Sequence, residues 1–340
     1  MAVTLKTIAE KNNVAVATVS RVLNGLASQY RISKETEELI VKTAKELKYK
    51  PNPLARSLRT NKTLTLGLVI PDISNPFFAS IARHVEREAR LANYSIILCD
   101  SEDDTHLEKQ QLEMLSSRKV DGLIVFPVGT ESSHLLDHFN KGMSLVLVDR
   151  GFPDLPIPYV ASDNYQGAFA AVSYLIENGH TSIACIQGLP GTMPNERRVQ
   201  GYLDALKKYN IPATEALIVG ENFGLQNGYI ETKVLLNQRE RPTAILTLSN
   251  LIAVGSLQAI LEENLSVPQD ISIIGFDDQP YSAILSPPMT TIMQQSEEMG
   301  RIAVKMLLNQ LKGERISQPN IHILLPTKLI KRNSVMRINR

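Results

Sequence analysis

The chain has 340 residues, of which 43% are apolar and 21% charged, enough for two or three packed domains. It has neither an apolar run of the ~18 residues that a membrane span needs nor a secretory signal pattern, so we predict a cytoplasmic protein with no membrane partner. The net charge of +1 hides an asymmetry, because residues 1–62 carry 12 Lys and Arg against 5 Asp and Glu, a net +7, and the remainder carries 24 against 30, a net −6. A basic segment on an acidic body indicates a polyanion partner for that segment, although a solvated basic helix would give the same charge.

The two cysteines, Cys99 and Cys185, lie in separate apolar runs. Two reduced thiols inside buried strands are therefore expected. The sequence contains no CxxC motif and no Cys/His cluster, so we predict no metal and no cofactor.

The N-terminal segment shows three short helical patterns. Apolar spacing predicts a first helix capped by Thr4 and interrupted at Asn12–Asn13, because Asn tolerates the left-handed conformation of a tight turn. A second helix ends at Asn24–Gly25, and a third is predicted over 34–47 with Ser33 as its cap. The residues predicted to face inward are Leu5, Ile8, Ala9, Val19, Val22, Leu23, Leu39, Ile40, Ala44 and Leu47.

Two short helices joined by a tight turn are typical of a helix-turn-helix, in which the second helix enters the DNA major groove. Val16 and Ala17 lie off the apolar stripe at its start and suit contact with a thymine methyl group, and Arg21 suits a bidentate bond to guanine. Thr18 and Ser20 are predicted to meet phosphates. A helical hairpin that binds no nucleic acid remains the alternative at this point.

The stretch TIAEKNNVAVATVSRVLNG, and ATVSRVLNG within it, resembles the headpiece of the lactose-repressor/galactose-repressor family of bacterial transcription regulators. Two positions depart from the family pattern: Ala15 stands where Ser usually caps the recognition helix, and Asn13 stands where Gly is frequent in the turn. The headpiece residues predicted to contact DNA are Thr4, Lys6, Val16, Ala17, Thr18, Ser20, Arg21 and Asn24.

The segment YKPNPLARSLRTNKT follows, and its prolines Pro51 and Pro53 end the third helix. Asn52 and Pro53 suit the start of a new helix, but one this short is marginal in water unless something holds it. The resemblance implies a hinge helix that pairs with its twin in a dimer and inserts Leu58 into the minor groove. A solvated Pro-rich linker is the alternative. The hinge residues predicted to contact DNA are Asn52, Leu54, Ala55, Leu58 and Arg59.

From residue 64 onward, apolar runs alternate with amphipathic stretches in two successive series, which predicts two doubly wound lobes. The stretches 290–294 and 297–312 are predicted to return to the first lobe, with a last strand at 321–326. The runs predicted as buried parallel strands are 64–71, 94–101, 122–127 and 145–149, then 182–188, 216–220, 244–249 and 271–277.

This pattern is similar to the two-lobed, periplasmic-binding-protein-like core of the same family. The predicted fold is thus a small all-α helix-turn-helix headpiece, joined by a hinge helix to a two-lobed α/β core of two doubly wound parallel sheets. The predicted boundaries are a headpiece at 1–50, a hinge at 51–63 and a core at 64–340, with a first lobe at about 64–161 and 293–325 and a second at about 162–292 and 326–340.

Ligands of doubly wound sheets bind beyond the carboxyl ends of the strands, and between two lobes those ends face a cleft. Carboxylate, amide, guanidinium and aromatic side chains follow these strands, a combination that suits a sugar. The family alignment implies aromatic cleft positions at Phe78 and Phe223 and effector contacts at Arg198 and Asp277, whereas Asn250 stands where Asp is common. The predicted effector-binding residues are Asn75, Phe77, Phe78, Asp149, Thr192, Arg198, Phe223, Asn250 and Asp277.

Other classes of protein fit less of the sequence. No GxGxxG, Walker A, GxSxG or HExxH motif supports an enzyme. The adjacent carboxylates Asp103-Asp104 and Asp277-Asp278 are not expected to hold a metal, because neighbouring side chains on an extended chain point in opposite directions. His134 and His138 are expected to be a solvated pair on one helix face. A solute-binding protein or a sugar-active enzyme on the same scaffold would leave the basic headpiece unexplained.

The sequence therefore predicts a ligand-responsive DNA-binding transcription regulator, associated with the bacterial nucleoid. The resemblance implies a homodimeric repressor that binds a pseudo-palindromic double-stranded operator and responds to a sugar or sugar phosphate between the lobes.

Overall fold

The computed structural model describes residues 3–49, 62–314 and 321–338. The chain divides between Thr63 and Leu64 into two compact units. The predicted hinge residues Asn52, Leu54, Ala55, Leu58 and Arg59 lie outside the described residues.

In its described residues, the first unit contains three helices, α1 (Leu5–Asn12), α2 (Val16–Leu23) and α3 (Lys34–Glu46). Thr4 caps α1 by accepting a hydrogen bond from the Thr7 amide, as predicted. Asn13 has φ 50° and forms the left-handed turn between α1 and α2, the helix-turn-helix connection that the sequence indicates.

The headpiece core is formed by one face of each helix. Ile8, Val19, Val22 and Ile40 are buried there. The prediction that Leu39 faces inward is wrong, because 49% of it is exposed. Thr43 is buried on α3 instead, and its hydroxyl donates a 2.9 Å hydrogen bond to Asn12 Oδ1.

Across its described residues, the second unit contains two six-stranded sheets. The strands are β1 (Thr65–Ile70), β2 (Ser95–Asp100), β3 (Gly122–Val125), β4 (Ser144–Val148), β5 (Tyr159–Ser162), β6 (Ile183–Ile186), β7 (Ile218–Val219), β8 (Ala244–Thr247), β9 (Ser272–Phe276), β10 (Thr290–Met293), β11 (His322–Leu325) and β12 (Lys328–Ile330). The helices are α4 (Pro76–Leu91), α5 (Thr105–Ser117), α6 (Ser133–Asn140), α7 (Asn164–Glu177), α8 (Met193–Lys208), α9 (Leu225–Leu236), α10 (Asn250–Glu262) and α11 (Ser296–Leu311).

The first sheet has the order β11-β5-β4-β3-β1-β2 and the second the order β12-β10-β9-β8-β6-β7. All of these pairs are parallel except β10 with β12, so the two doubly wound lobes are confirmed. Three details differ from the prediction. β10 belongs to the second sheet, so the chain returns to the first lobe only after Met293, while β5 and β12 form at positions not predicted as strands.

Strand β2 lies at the edge of the first sheet and is only partly buried, although its sequence reads as a buried strand. Its Cys99, like Cys185 on β6, is buried and free, which confirms two core thiols. Across the described residues, none of the helices combines the length and apolar character that crossing a membrane requires.

The chain crosses between the lobes near residues 163, 295 and 326, and the three crossings are hydrogen-bonded to one another. The Asp163 amide donates to the Leu325 carbonyl at 2.7 Å, and Gln295 Nε2 donates to the Pro326 carbonyl at 2.8 Å. The Thr327 hydroxyl donates to the Asp163 carbonyl at 3.4 Å. The lobes are therefore joined by three adjacent segments rather than by one linker.

Candidate functional site

The strand order fixes where a ligand site is expected in each lobe. In both sheets the order reverses next to the lobe's first strand, with β1 between β2 and β3, and β6 between β7 and β8. Crevices beyond the carboxyl ends of strands at such reversals are the usual ligand sites of doubly wound sheets. Here the two crevices face each other across one cleft.

A cavity of about 120 Å³ occupies this cleft. It brings together all of the predicted effector-binding residues except Thr192. Its lining is formed by Asp72, Asn75, Phe77, Phe78, Asp103, Asp149 and Arg150 from the first lobe, and by Pro194, Arg198, Phe223, Gly224, Ser249, Asn250, Leu251 and Asp277 from the second.

Thr192 does not line the cavity. It precedes α8, and its hydroxyl donates a 2.7 Å hydrogen bond to the Leu189 carbonyl. The position therefore supports the turn before α8, while Arg198, nearly two turns further along that helix, reaches the cleft.

Arg198 is held in a fully buried position by three contacts. Its Nε donates to Asn164 Oδ1 at 2.7 Å, and one terminal nitrogen donates to the Leu248 carbonyl at 2.6 Å. Its Cζ lies 3.7 Å from the ring centre of Phe276. These contacts fix the plane of the guanidinium group, which suits it to directional hydrogen bonds with a ligand.

Asp277 follows β9 in a left-handed conformation, with φ 72°. One carboxylate oxygen accepts from the Asn250 amide at 3.3 Å and the other from the side chain of Gln294. Burial raises the pKa of Asp277, and the Arg198 charge and the Gln294 hydrogen bond oppose that rise.

Asp149 faces Asp277 from the end of β4 in the other lobe, also with a left-handed backbone at φ 65°. Burial raises the pKa of Asp149 from 3.8 to about 6, the charges of Arg198 and Arg150 oppose the rise, and Asp277 adds to it. Its Oδ1 has no hydrogen-bond partner among the described residues. A buried acceptor of this kind is costly unless a donor satisfies it.

Aromatic rings supply the apolar part of the lining. Phe77 and Phe78 begin α4, and the Phe78 ring packs edge-on against Phe126 with centres 5.8 Å apart. Phe223 lies on the opposite lobe, with Arg150 Cζ 5.4 Å from its ring centre. Gly188 makes room for that ring, since a Cβ there would lie 2.0 Å from Phe223 Cε1.

The two lobes are hydrogen-bonded across the cavity by the side chains at two helix N-termini. Asn250 Nδ2, at the first residue of α10, donates to Asn75 Oδ1, the cap of α4, at 3.0 Å. Asn75 Oδ1 also accepts from the Phe77 amide at 3.1 Å. Asn250 Oδ1 has no partner among the described residues, so this amide has an acceptor to offer a ligand.

Two residues that hold the site were missed by sequence reasoning, Asn164 and Gln294. Each orients a charged side chain, Arg198 and Asp277 respectively. Gln294 follows β10 directly, and the rule that site residues follow strands would have found it once β10 was placed in the second sheet.

The predicted base-reading residues of the headpiece share one exposed surface. Val16, Ala17 and Arg21 are exposed on α2, and Thr18 and Ser20 are partly exposed. Lys6 is exposed on α1 and lies 3.9 Å from Glu10. Asn24 donates from its side chain to the Ser20 carbonyl at the end of α2.

The prediction of a solvated histidine pair on α6 is wrong for His134. Its Nε2 lies 2.6 Å from Oε1 of the fully buried Glu108, whose Oε2 accepts from the Val128 amide at 2.9 Å. Asp104 caps α5, and Asp278 pairs with Arg332 at 2.7 Å. Among the described residues, no group of three or more His, Cys, Asp or Glu is arranged for a metal.

Two family models match the chain: bacterial regulatory proteins of the lacI family at residues 4–52, and a periplasmic binding protein-like domain at residues 172–335. The HTH-type transcriptional regulator DegA of Bacillus subtilis is 33% identical over 100% of both chains. The chain belongs to the LacI family of bacterial transcription regulators.

Other LacI-family proteins agree with this assignment. The ribose operon repressor of Haemophilus influenzae is 34% identical over 96% of this chain and 97% of its own length. The structure of the lac repressor dimer bound to operator and the anti-inducer ONPF superimposes with a TM-score of 0.86 at 26% identity, covering 99% of this chain and 100% of that one. The LacI-family fold and a DNA-binding regulatory role follow, and these relatives are regulators rather than enzymes.

Proposed function

We propose that this protein is a homodimeric repressor that binds a pseudo-palindromic operator and is controlled by a small neutral sugar in the cleft between its lobes. The observation that supports a sugar effector is that Asp149, Arg198 and Asp277 line one buried cavity together with phenylalanine rings. A solute-binding protein or a sugar-active enzyme would share this cavity, but neither explains the lacI-family match at residues 4–52.

A neutral sugar fits the charges of the cavity better than a sugar phosphate does. Asp72 and Asp103 add two carboxylates to those of Asp149 and Asp277, against the guanidinium groups of Arg150 and Arg198. A phosphate dianion would face like charges at low dielectric, whereas hydroxyl groups donate hydrogen bonds to Asp149 Oδ1 and Asn250 Oδ1. The relative named as a ribose operon repressor supports a sugar.

The cavity volume favours a small ligand. Pockets for drug-sized molecules usually begin at roughly 300 Å³. A cavity of about 120 Å³ suits a monosaccharide, with some opening of the lobes, better than an oligosaccharide.

On the DNA, we assign base contacts to Val16, Ala17 and Arg21, and phosphate contacts to Thr18, Ser20 and Lys6. Thr4, the N-cap of α1, and Asn24, which follows α2, are the remaining proposed DNA contacts of the headpiece. The hinge residues would pair across the dimer, with Leu58 inserted in the minor groove at the operator centre. Effector binding would shift the population of lobe arrangements and so change the separation of the two hinges.

The test compares one variant of the cleft with one of the hinge. Calorimetry should find a neutral monosaccharide that binds the free protein more tightly than its phosphate ester does. Arg198→Ala should weaken that ligand roughly tenfold to a few hundredfold, because it leaves polar groups unpaired at about 1–3 kcal/mol or more, and it should leave operator affinity unchanged. Leu58→Ala should weaken operator binding and leave ligand binding unchanged.

Arg197→Ala is the matched control, because the adjacent Arg197 is exposed and does not line the cavity. Ligand binding at full strength by Arg198→Ala would remove the cleft assignment. Tighter binding of the phosphate ester would contradict a neutral sugar as the effector. Normal operator binding by Leu58→Ala would show that the hinge segment is only a linker and does not contact DNA.

A further inference from the structure

One contact in the headpiece joins the proposed base-reading arginine to the turn that follows its helix. Cζ of Arg21 lies 4.0 Å from the ring centre of Tyr30. Both side chains are exposed, Tyr30 by 48%. The guanidinium group therefore rests on an aromatic ring at the surface that carries the base-reading residues.

Backbone hydrogen bonds of the turn fix the main-chain position from which the Tyr30 side chain extends. The Leu26 amide donates to the Arg21 carbonyl at 2.9 Å, and the Tyr30 amide donates to the Leu26 carbonyl at 3.2 Å. Ala27 is 2% exposed and anchors the turn in the headpiece core, while its carbonyl accepts from the Ile32 amide at 2.9 Å. The main chain at Tyr30 is thus anchored to the end of α2, and the contact with Arg21 places the half-exposed ring beside that helix.

The chemistry of a guanidinium group allows two contacts at once. Its face stacks on an aromatic ring, and its N–H donors lie in the plane of the group, where they are free to bond an acceptor pair. Guanine presents such a pair, N7 and O6, in the major groove. Stacking on Tyr30 therefore leaves the donors of Arg21 available for a base.

We infer that Tyr30 is a positioning residue for sequence reading, which holds the Arg21 guanidinium on its ring so that the donor edge is oriented before DNA arrives. The inference rests on the proposed role of Arg21 in contacting a base. An arginine restricted in this way loses less rotamer freedom when it binds, so affinity for the preferred base pair rises. Non-specific binding depends on phosphate contacts and should not change.

If Arg21 and Tyr30 separate when DNA binds, removal of the ring has the opposite effect on operator affinity. If Arg21 had to leave the ring to reach a base, the contact with Tyr30 would compete with DNA, and removal of the ring would tighten operator binding. A contact of the Tyr30 hydroxyl with phosphate would instead make the hydroxyl, and not the ring, the important group.

The experiment uses the full-length protein and duplexes selected from a random library by the unaltered chain. Operator affinity is measured by fluorescence anisotropy for Tyr30→Ala, Tyr30→Leu and Tyr30→Phe, on the selected duplex and on one changed at the base pair that Arg21→Ala ceases to discriminate. Tyr30→Ala and Tyr30→Leu should lose about two- to fivefold per half-site on the selected duplex and far less on the changed one. Tyr30→Phe should match the unaltered protein.

Tighter binding by Tyr30→Ala would overturn the inference, as would full activity of Tyr30→Leu or a loss in Tyr30→Phe equal to that of Tyr30→Ala. Equal losses on both duplexes would also overturn it, because they would indicate a phosphate contact or a damaged fold. Gln29→Ala, at the exposed neighbour in the same turn, is the matched control and should change neither affinity.

A double-mutant comparison separates this inference from the proposed function. In an Arg21→Ala background, Tyr30→Ala should cause no further loss of discrimination. If Arg21→Ala relaxes a base preference and Tyr30→Ala does not, the positioning role alone is wrong. If Arg21→Ala leaves every base preference unchanged, the base-reading role and the inference fail together.

Discussion

Asp149 shows how a single buried residue in the cleft between the lobes can cost stability. Its carboxylate is fully buried between lobes, beside a second buried carboxylate, and it lacks a partner for one oxygen among the described residues. The pKa near 6 means that the two arginines nearby only partly offset the burial of the charge. A pKa rise of about two units corresponds to about 3 kcal/mol.

The pH dependence of this loss of stability can be tested with Asp149→Asn. Because the pKa is higher in the folded state, the folded protein holds the proton more tightly, and stability is lost as pH rises from about 4 through 6. Asp149→Asn keeps the shape without the charge, so it should raise the free energy of unfolding by ~1–3 kcal/mol at pH 7.5 and by little at pH 4. Thermal unfolding at both pH values measures this.

The exposed Asp154 provides the control, since Asp154→Asn should leave stability nearly unchanged at either pH. A less stable Asp149→Asn protein at pH 7.5 would mean that pairing with Arg198 and Arg150 outweighs the burial of the carboxylate.

Among the residues of the candidate cleft site, some can be predicted from the local sequence and others cannot. Asn75, Asp149, Asn250 and Asp277 were predictable because each follows an apolar strand, and strand ends meet at one edge of a sheet. Asn164 was not, because only the tertiary fold brings it to Arg198. His134 was misassigned for the same reason, since its partner Glu108 lies 26 residues away in the chain.

At the scale of elements, the recognition helix α2 begins without a side-chain cap. Ala15 has the extended conformation of a cap residue, φ −67° and ψ 145°, but offers no hydrogen-bond acceptor to the first turn. Serine and threonine at this position typically stabilise a helix by about 1 kcal/mol relative to alanine. The helix that we propose to enter the major groove is therefore less stable at its N-terminus than a helix with a serine or threonine cap.

Ala15→Ser should slow amide hydrogen exchange in α2 by about fivefold, which corresponds to ~1 kcal/mol. Ala15→Val, which adds bulk without an acceptor, should bring no such gain. Equal exchange rates in the unaltered protein and Ala15→Ser would show that solvent or another group already satisfies these amides.

Element boundaries were predictable wherever a long apolar run marked a strand. The strand β5 was missed because it directly follows Pro156 and Pro158, and β12 because it has only three residues, one of them Lys328, between Thr327 and Lys331. Both exist through pairing with strands distant in sequence, which local periodicity does not report. Leu39 was misassigned because the buried face of α3 is formed by Ile40, Thr43 and Ala44, and Leu39 lies beyond the edge of that face.

For the whole molecule, the charge is divided so that the headpiece and linker are basic and the core is acidic. A dimer that neutralises ~8 phosphates should show a slope of log affinity against log salt of about −7. Lys6→Ala should reduce that slope by about 1 per subunit and weaken all sequences alike. Anisotropy titrations at several salt concentrations measure both effects.

Lys305→Ala, an exposed change on α11 in the core, should leave the slope unaltered. A slope near zero for the unaltered protein would be incompatible with nucleic acid as the partner of the basic segment.

The three crossings between lobes have a consequence for synthesis on the ribosome. The first lobe is completed by α11 and β11, which are translated only after nearly all of the second lobe. Helix α11 packs on α4 and β4 and buries Met299, Ala303 and Leu307 against them. At ~5–20 residues per second, the nascent first lobe exposes that apolar face for on the order of ten seconds, the interval in which this chain is most prone to aggregate.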